Sequence, residues 1–145
     1  MKILALMAAA VISFSGGTAS AGEQVQVSAK SSIVIDALSG DVIFEKNADE
    51  RRAPASMTKI MTCILGLEEL SPADSITFGA TAAATEDIAF DWQPQDRMDA
   101  SEMIRAMMLV SDNGAAVAIA QKISGTVPLF SAKMNEKARE LGCNK

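Results

Sequence analysis

Ser56 and Lys59 are the residues whose types and spacing could do chemistry together. A proline-led approach, Pro54-Ala55, runs into Ser56-Met57-Thr58-Lys59-Ile60-Met61-Thr62, where an apolar stretch of helical periodicity begins. Residues three apart on a helix share a face, with Cβ atoms about 5 to 6 Å apart, so this spacing predicts an amine one turn above a hydroxyl. That is a nucleophile beside a base. The sequence contains no histidine and no tyrosine, which excludes Ser-His-Asp and Cys-His arrangements and histidine-ligated zinc. Two cysteines alone do not make a tetrahedral metal site, and neither a metal nor a cofactor is expected. For unaided acyl transfer, lysine is the natural base. A free lysine, with a pKa of about 10.4, is a poor base at neutral pH, while burial and the positive end of a helix both favour a neutral amine.

The elements that must position this pair are a hairpin and a run of helices. Ile33-Val34-Ile35 and Val42-Ile43-Phe44 are β-branched, apolar runs separated by Leu38-Ser39-Gly40-Asp41, which predicts a hairpin with Gly40 at positive φ. One face of such a pair must be covered by something else. Met57, Ile60, Met61, Ile64, Leu65 and Leu67 then give a helix with a broad buried stripe, stopped by Ser71-Pro72. Thr77-Phe78 reads as a short extended segment, residues 79–84 are ambiguous, and Thr85 to Arg97, with Trp92 and Pro94, reads as a long surface excursion. Asp99 and Glu102 form a candidate capping pair for a helix carrying Met103, Ile104, Met107, Met108 and Val110. That helix ends at Ser111-Asp112-Asn113. The next, from Gly114 to Ile123, is apolar on every side and suits the centre of a helical domain. Pro128 to Leu141 reads as a last amphipathic helix with Gly142 as its stop. Methionines at helical spacing are expected in the core.

Residues 1–21 have the three regions of a secretory signal: Lys2, an apolar core from Ile3 to Phe14, and the small-residue site Ala19-Ser20-Ala21. The alternatives are a buried first helix or an uncleaved anchor. Against both, the apolar core falls short of the roughly 20 residues that span a bilayer, and Gly16-Gly17 interrupts it. Export to the periplasm or cell-wall space is therefore expected, with residues 22–145 as one domain and no membrane segment after cleavage. The net charge of −5 gives no support to a nucleic-acid partner. Cys63 is expected to pack as a small apolar group rather than pair with Cys143, which sits near the end of the chain.

Ser56-Met57-Thr58-Lys59 and Ser111-Asp112-Asn113 resemble the first two motifs of the penicillin-recognising serine enzymes, whose third is Lys-Thr-Gly. The context is most similar to the serine D-alanyl-D-alanine carboxypeptidases among the low-molecular-mass penicillin-binding proteins. It rests on Ile33-Val34-Ile35-Asp36 with Ser39-Gly40, on Pro54 to Lys59, on Val110 to Asn113, on Ile123-Ser124-Gly125, and on Met134-Asn135-Glu136-Lys137-Ala138 before Leu141-Gly142. It covers nearly all of residues 22–145. A lone Ser-x-x-Lys is a weak signal, but here the serine opens a helix after a hairpin and the second motif joins two apolar helices.

The resemblance implies an α+β, transpeptidase-like fold, represented by the hairpin and most of the helical subdomain. It implies Ser56 as acyl-ester nucleophile, Lys59 as general base, Ser111 as proton relay, and Asn113 as a substrate-binding residue that also orients Lys59. Asp112 would face away and hold the turn, and the Ser56 backbone N–H would be half of an oxyanion hole. The implied substrate is a peptidoglycan stem peptide ending in D-Ala-D-Ala, with β-lactam antibiotics as acylating inhibitors. No Lys-Thr-Gly triplet follows Asn113, so the expectation is an N-terminal portion that stops before the third motif. Three other readings remain: a class A-like β-lactamase, an inactive exported remnant or binding module, and a chance pattern in which Ser111 and Asn113 merely join two helices.

Overall fold

Residues 25–86 and 89–143 are described by the computed structural model, and the expected leader at residues 1–21 lies outside them. Two compact units divide the chain, one ending at Glu50 and the other starting at Arg51. In the first, β1 (Ser32–Ile35) pairs antiparallel with β2 (Val42–Lys46), Val34 opposite Phe44, with an irregularity between Val34 and Ile35. The turn is built by Asp36. Its Oδ1 accepts from the backbone N–H groups of Leu38 (2.9 Å) and Ser39 (2.8 Å), and its carbonyl accepts from Gly40 N–H (2.9 Å). Gly40 has φ +78°, a left-handed conformation that the absence of a Cβ makes easy. Within this unit both strand faces are open, with the neighbouring Ile33 56% and Val34 47% exposed on opposite faces.

The second unit is helical. A 3-10 turn (Ala55–Met57) leads into α1 (Thr58–Glu69). There follow β3 (Ser75–Thr77), the single turn α2 (Ala80–Ala83) and β4 (Arg97–Asp99), which pairs antiparallel with β3. Next come α3 (Ala100–Val110), α4 (Asn113–Ser124) and α5 (Val127–Glu140). α4 packs against α1, α2, α3, α5 and β3, as its all-round apolar sequence predicts. Gly114, Ala115, Ala118 and Ala120 are buried there and, being small, let the surrounding helices approach. Ile76, Phe78, Met103, Met107 and Ile119 fill the main core, and Phe130 brings α5 onto Leu65 and Ala120. α1 approaches α3 closely at Gly66, where an added Cβ would meet Ile104 Cδ1 at 3.0 Å and the Ile104 side chain would have to shift. Cys63 is half-buried against the core and Cys143 is exposed, both as free thiols. Gly142, at φ +83°, follows the end of α5. Among the described residues, no helix is long and apolar enough to cross a membrane.

Three expectations change. Asp99 stands at the N-cap of α3, but its side chain makes no cap hydrogen bond; Glu102 instead pairs with Arg105 one turn on. Such an i,i+3 partner in the same helix competes with the backbone for the carboxylate. The excursion after Thr85 is not simply a surface loop. Trp92 stacks on the fully buried Phe78 (centroids 4.3 Å apart), and Phe78 N–H and C=O bond Asp96 O and Gln95 N–H at 2.9 Å each. Met57, Ile60, Leu67 and Met108 are exposed and do not join the core as Leu65, Met103 and Met107 do, so the buried stripe of α1 is narrower than its sequence predicts.

Two measurements follow from these contacts. The Ser39 N–H, and after it the Leu38 N–H, hold the Asp36 carboxyl below its ordinary value of 3.8, so they favour the charged form. The turn's stabilisation is therefore full above that value and lost as pH falls through the lower folded pKa. An NMR pH titration should show the Leu38 and Ser39 amide shifts moving together with Asp36 below the ordinary carboxylate range. Gly66→Leu should overpack the α1–α3 contact and lower unfolding stability by about 1–3 kcal/mol in urea.

Candidate active site

The backbone that presents Ser56 is strained. Pro54 leaves the loop in a right-handed conformation and Ala55 then takes φ +49°, uncommon for a residue with a Cβ. Ser56 follows inside the 3-10 turn, two residues before α1 begins at Thr58. Lys59 lies in the first turn of α1 and is buried, with 9% of its surface exposed. The long Lys59 side chain thus carries its amine into the protein and must find acceptors there.

Both acceptors come from the junction of α3 and α4, more than fifty residues along the chain. Ser111, at φ +60°, ends α3 in a left-handed conformation, the second strained non-glycine residue beside the site. That reversal of the chain turns its hydroxyl toward α1. Lys59 Nζ donates to Ser111 Oγ (3.1 Å) and to Asn113 Oδ1 (2.5 Å), and Ser111 Oγ donates to Ser56 Oγ (3.0 Å). All four side chains singled out from the sequence therefore meet in one hydrogen-bonded chain. The difference from the simple three-residue spacing is that Ser56 and Lys59 communicate through Ser111. Because Ser56 precedes α1 in a tighter turn, the spacing of a regular helix does not by itself set that pair's geometry.

Ser56, Met57, Lys59, Ile60, Met107, Met108 and Ser111 line an open depression of about 310 Å³. Its wall is apolar around a polar floor, the usual character of a small-molecule site. Asn113 Nδ2 donates to the Glu86 carbonyl (3.2 Å), and since an amide nitrogen carries two hydrogens, one has no acceptor among the described residues.

Asp112 has a larger part than the sequence suggests. It is wholly buried, and its carboxylate bonds to N–H groups of α4 and of the excursion rather than to Lys59, as expected. Its Oδ1 caps α4 by accepting from Ala115 N–H (2.7 Å). Its Oδ2 accepts from Ala89 N–H (2.7 Å), Phe90 N–H (3.4 Å) and Trp92 Nε1–H (3.2 Å). The sequence held one hint of this second function: the single tryptophan of the chain lies in the excursion, and its indole N–H needs an acceptor when buried. The role of the Glu86 carbonyl had no such signal.

A sequence model of the D-alanyl-D-alanine carboxypeptidase family matches residues 18–145. The chain belongs to that family. Among its relatives, D-alanyl-D-alanine carboxypeptidase DacF of Bacillus subtilis is 40% identical over 119 residues, covering 79% of this chain and 31% of the relative. DacA of Escherichia coli is 37% identical over 128 residues, covering 81% and 32%. The crystal structure of the carboxypeptidase DacD from Francisella tularensis superposes with a TM-score of 0.79 at 34% identity, covering 84% of this chain and 31% of that one. Penicillin binding protein 5 from Haemophilus influenzae superposes with a TM-score of 0.75 at 29% identity, covering 83% and 37%. The fold is therefore part of the α+β architecture of these proteins, and the chain spans about a third of the length of the relatives it matches. The class A-like alternative is not favoured by these matches.

Asn113→Ala would take from the buried Lys59 amine one of its two acceptors, leaving Ser111 Oγ, and would remove the Asn113 donor from the Glu86 carbonyl. The expected result is a loss of about 1–3 kcal/mol of stability in urea unfolding, larger than for an exposed asparagine.

Proposed function

We propose that this chain supplies the acylating residues of a serine D-alanyl-D-alanine carboxypeptidase acting on peptidoglycan stem peptides. The observation that carries this reading is the continuous chain from Ser56 Oγ through Ser111 Oγ to Lys59 Nζ, closed by Asn113. Membership of the carboxypeptidase family supports the choice of substrate class.

The chemistry runs along that chain in the direction opposite to the resting hydrogen bonds. With the Lys59 amine neutral, Ser111 passes it a proton and accepts the one on Ser56 Oγ. Ser56 Oγ attacks the carbonyl carbon of the penultimate D-alanine, and the Ser56 N–H faces the developing oxyanion. The C–N bond to the terminal D-alanine then breaks, and Ser111 delivers the proton to the leaving amine while recovering one from Lys59. Water hydrolyses the ester, releasing the shortened peptide and restoring Ser56. The second N–H of Asn113 serves a substrate carbonyl. A β-lactam enters by the same attack, its ring amide in place of the peptide bond.

On this reading residues 1–21 are a secretory leader, residues 22–145 belong to the N-terminal part of the carboxypeptidase domain, and the protein works in the periplasm or cell-wall space. Its partners are stem peptides ending in D-Ala-D-Ala and β-lactams, without nucleic acid.

Intact-mass spectrometry after incubation with benzylpenicillin tests the site. A stable increase of one penicillin, absent in Ser56→Ala, is expected. No adduct on a folded wild-type chain would overturn the claim that these residues form an acylating site by themselves.

A further inference from the structure

We propose that Asp112 is a positioning residue: its carboxylate latches the 89–92 segment and through it fixes the amide of Asn113 at the Lys59 amine. The inference deepens the acyl-transfer reading and rests on that reading for its kinetic arm alone. Asp112 is 0% exposed, and four N–H groups converge on its two oxygens. One donor, Ala115 N–H, belongs to α4 and is an ordinary cap. The other three belong to the excursion between α2 and β4, twenty or more residues away. A cap alone does not require them.

The same excursion supplies the Glu86 carbonyl to Asn113 Nδ2. Asn113 presents two unlike ends, and only one orientation gives its oxygen to Lys59 and its nitrogen to Glu86. Asp112 and Asn113 are consecutive, so one turn of backbone grips the excursion twice, by a carboxylate on N–H groups and by an amide on a carbonyl. Trp92 makes the grip stiff. Its ring stacks on buried Phe78 at an interplanar angle of 18° while its N–H reaches Asp112. Release of the carboxylate end would free the Glu86 carbonyl to move and leave the Asn113 amide without the contact that orients it.

Asparagine caps a helix about as well as aspartate, so Asp112→Asn spares α4. It cannot serve both sides of the latch: one oxygen becomes an NH2 group, and if the remaining oxygen keeps the cap, N–H meets N–H at the loop. Trp92→Phe is the milder companion, keeping a stacked ring and removing one donor. Trp92 is the single tryptophan, so its emission and indole N–H resonance report the latch in the wild type and in Asp112→Asn. The Asn113 side-chain amide resonances report the far end in all three proteins and need no substrate.

The expected result for Asp112→Asn is native helical circular dichroism, red-shifted Trp92 emission, and Asn113 amide resonances moved toward those of a free amide. Trp92→Phe should move the Asn113 resonances in the same direction by a smaller amount. Where the wild type is acylated by benzylpenicillin, Asp112→Asn should still reach one adduct per chain, but about ten- to a hundred-fold more slowly, as small misplacements of reacting groups do. Asn113 resonances unchanged after the latch is lost would overturn the proposal and leave Asp112 a cap. So would an unchanged acylation rate. If Asp112→Asn does not fold, unmoved Asn113 resonances in Trp92→Phe overturn it equally. A wild type that takes no adduct removes the kinetic arm and counts against the proposed function, while the resonances still decide the latch.

Discussion

A buried lysine amine is the constraint on which the helical unit depends. An ammonium or amine taken out of water must be met by acceptors in fixed positions. Lys59 projects from the first turn of α1, where the chain offers it none. The α3–α4 junction has to arrive at that spot, and it does so with two short polar side chains in the space of three residues. The same contact brings the Ser56 hydroxyl into the hydrogen-bonded chain, so the demand that buries the amine also assembles the nucleophile.

Meeting that demand requires backbone that ordinary sequence would avoid. Ala55 and Ser111 both sit at positive φ, conformations that cost of the order of 1–2 kcal/mol for residues with a Cβ. One turns the chain into Ser56, the other turns the Ser111 hydroxyl back across the helix end. The surrounding packing opposes relaxation: α4 is small-sided and central, with four helices and a strand against it, and Gly66 lets α1 lie close to Ile104. Surface ion pairs between α1 and α5, Lys133 with Glu69 and Lys137 with Glu68, add little beside this burial.

The hairpin differs in kind. Its geometry is local, set by Asp36 and by Gly40 at positive φ, and its strands expose apolar side chains on both faces within their own unit. It reads cleanly from sequence for that reason, since a turn and two β-branched, apolar runs involve only neighbours in the chain.

What the sequence by itself determined is what depends on local pattern and on residue chemistry. The hairpin, the helices around α1, α3, α4 and α5, the stop at Gly142 and the absence of histidine-based catalysis all follow from periodicity, turn residues and composition. The motifs at Ser56, Lys59, Ser111 and Asn113 were legible because short spacings within each motif are visible along the chain. Tertiary structure decided how the two motifs touch: Ser111 comes between Ser56 and Lys59, because a 3-10 turn and a left-handed residue displace both hydroxyls from ideal helix positions. It decided that Glu102 turns to Arg105 and not to the start of α3, and that the excursion is tied inward at Trp92 and Asp112. The Glu86 carbonyl bonded to Asn113 belongs to the same class, since a backbone carbonyl looks alike at every residue until folding brings a donor to it.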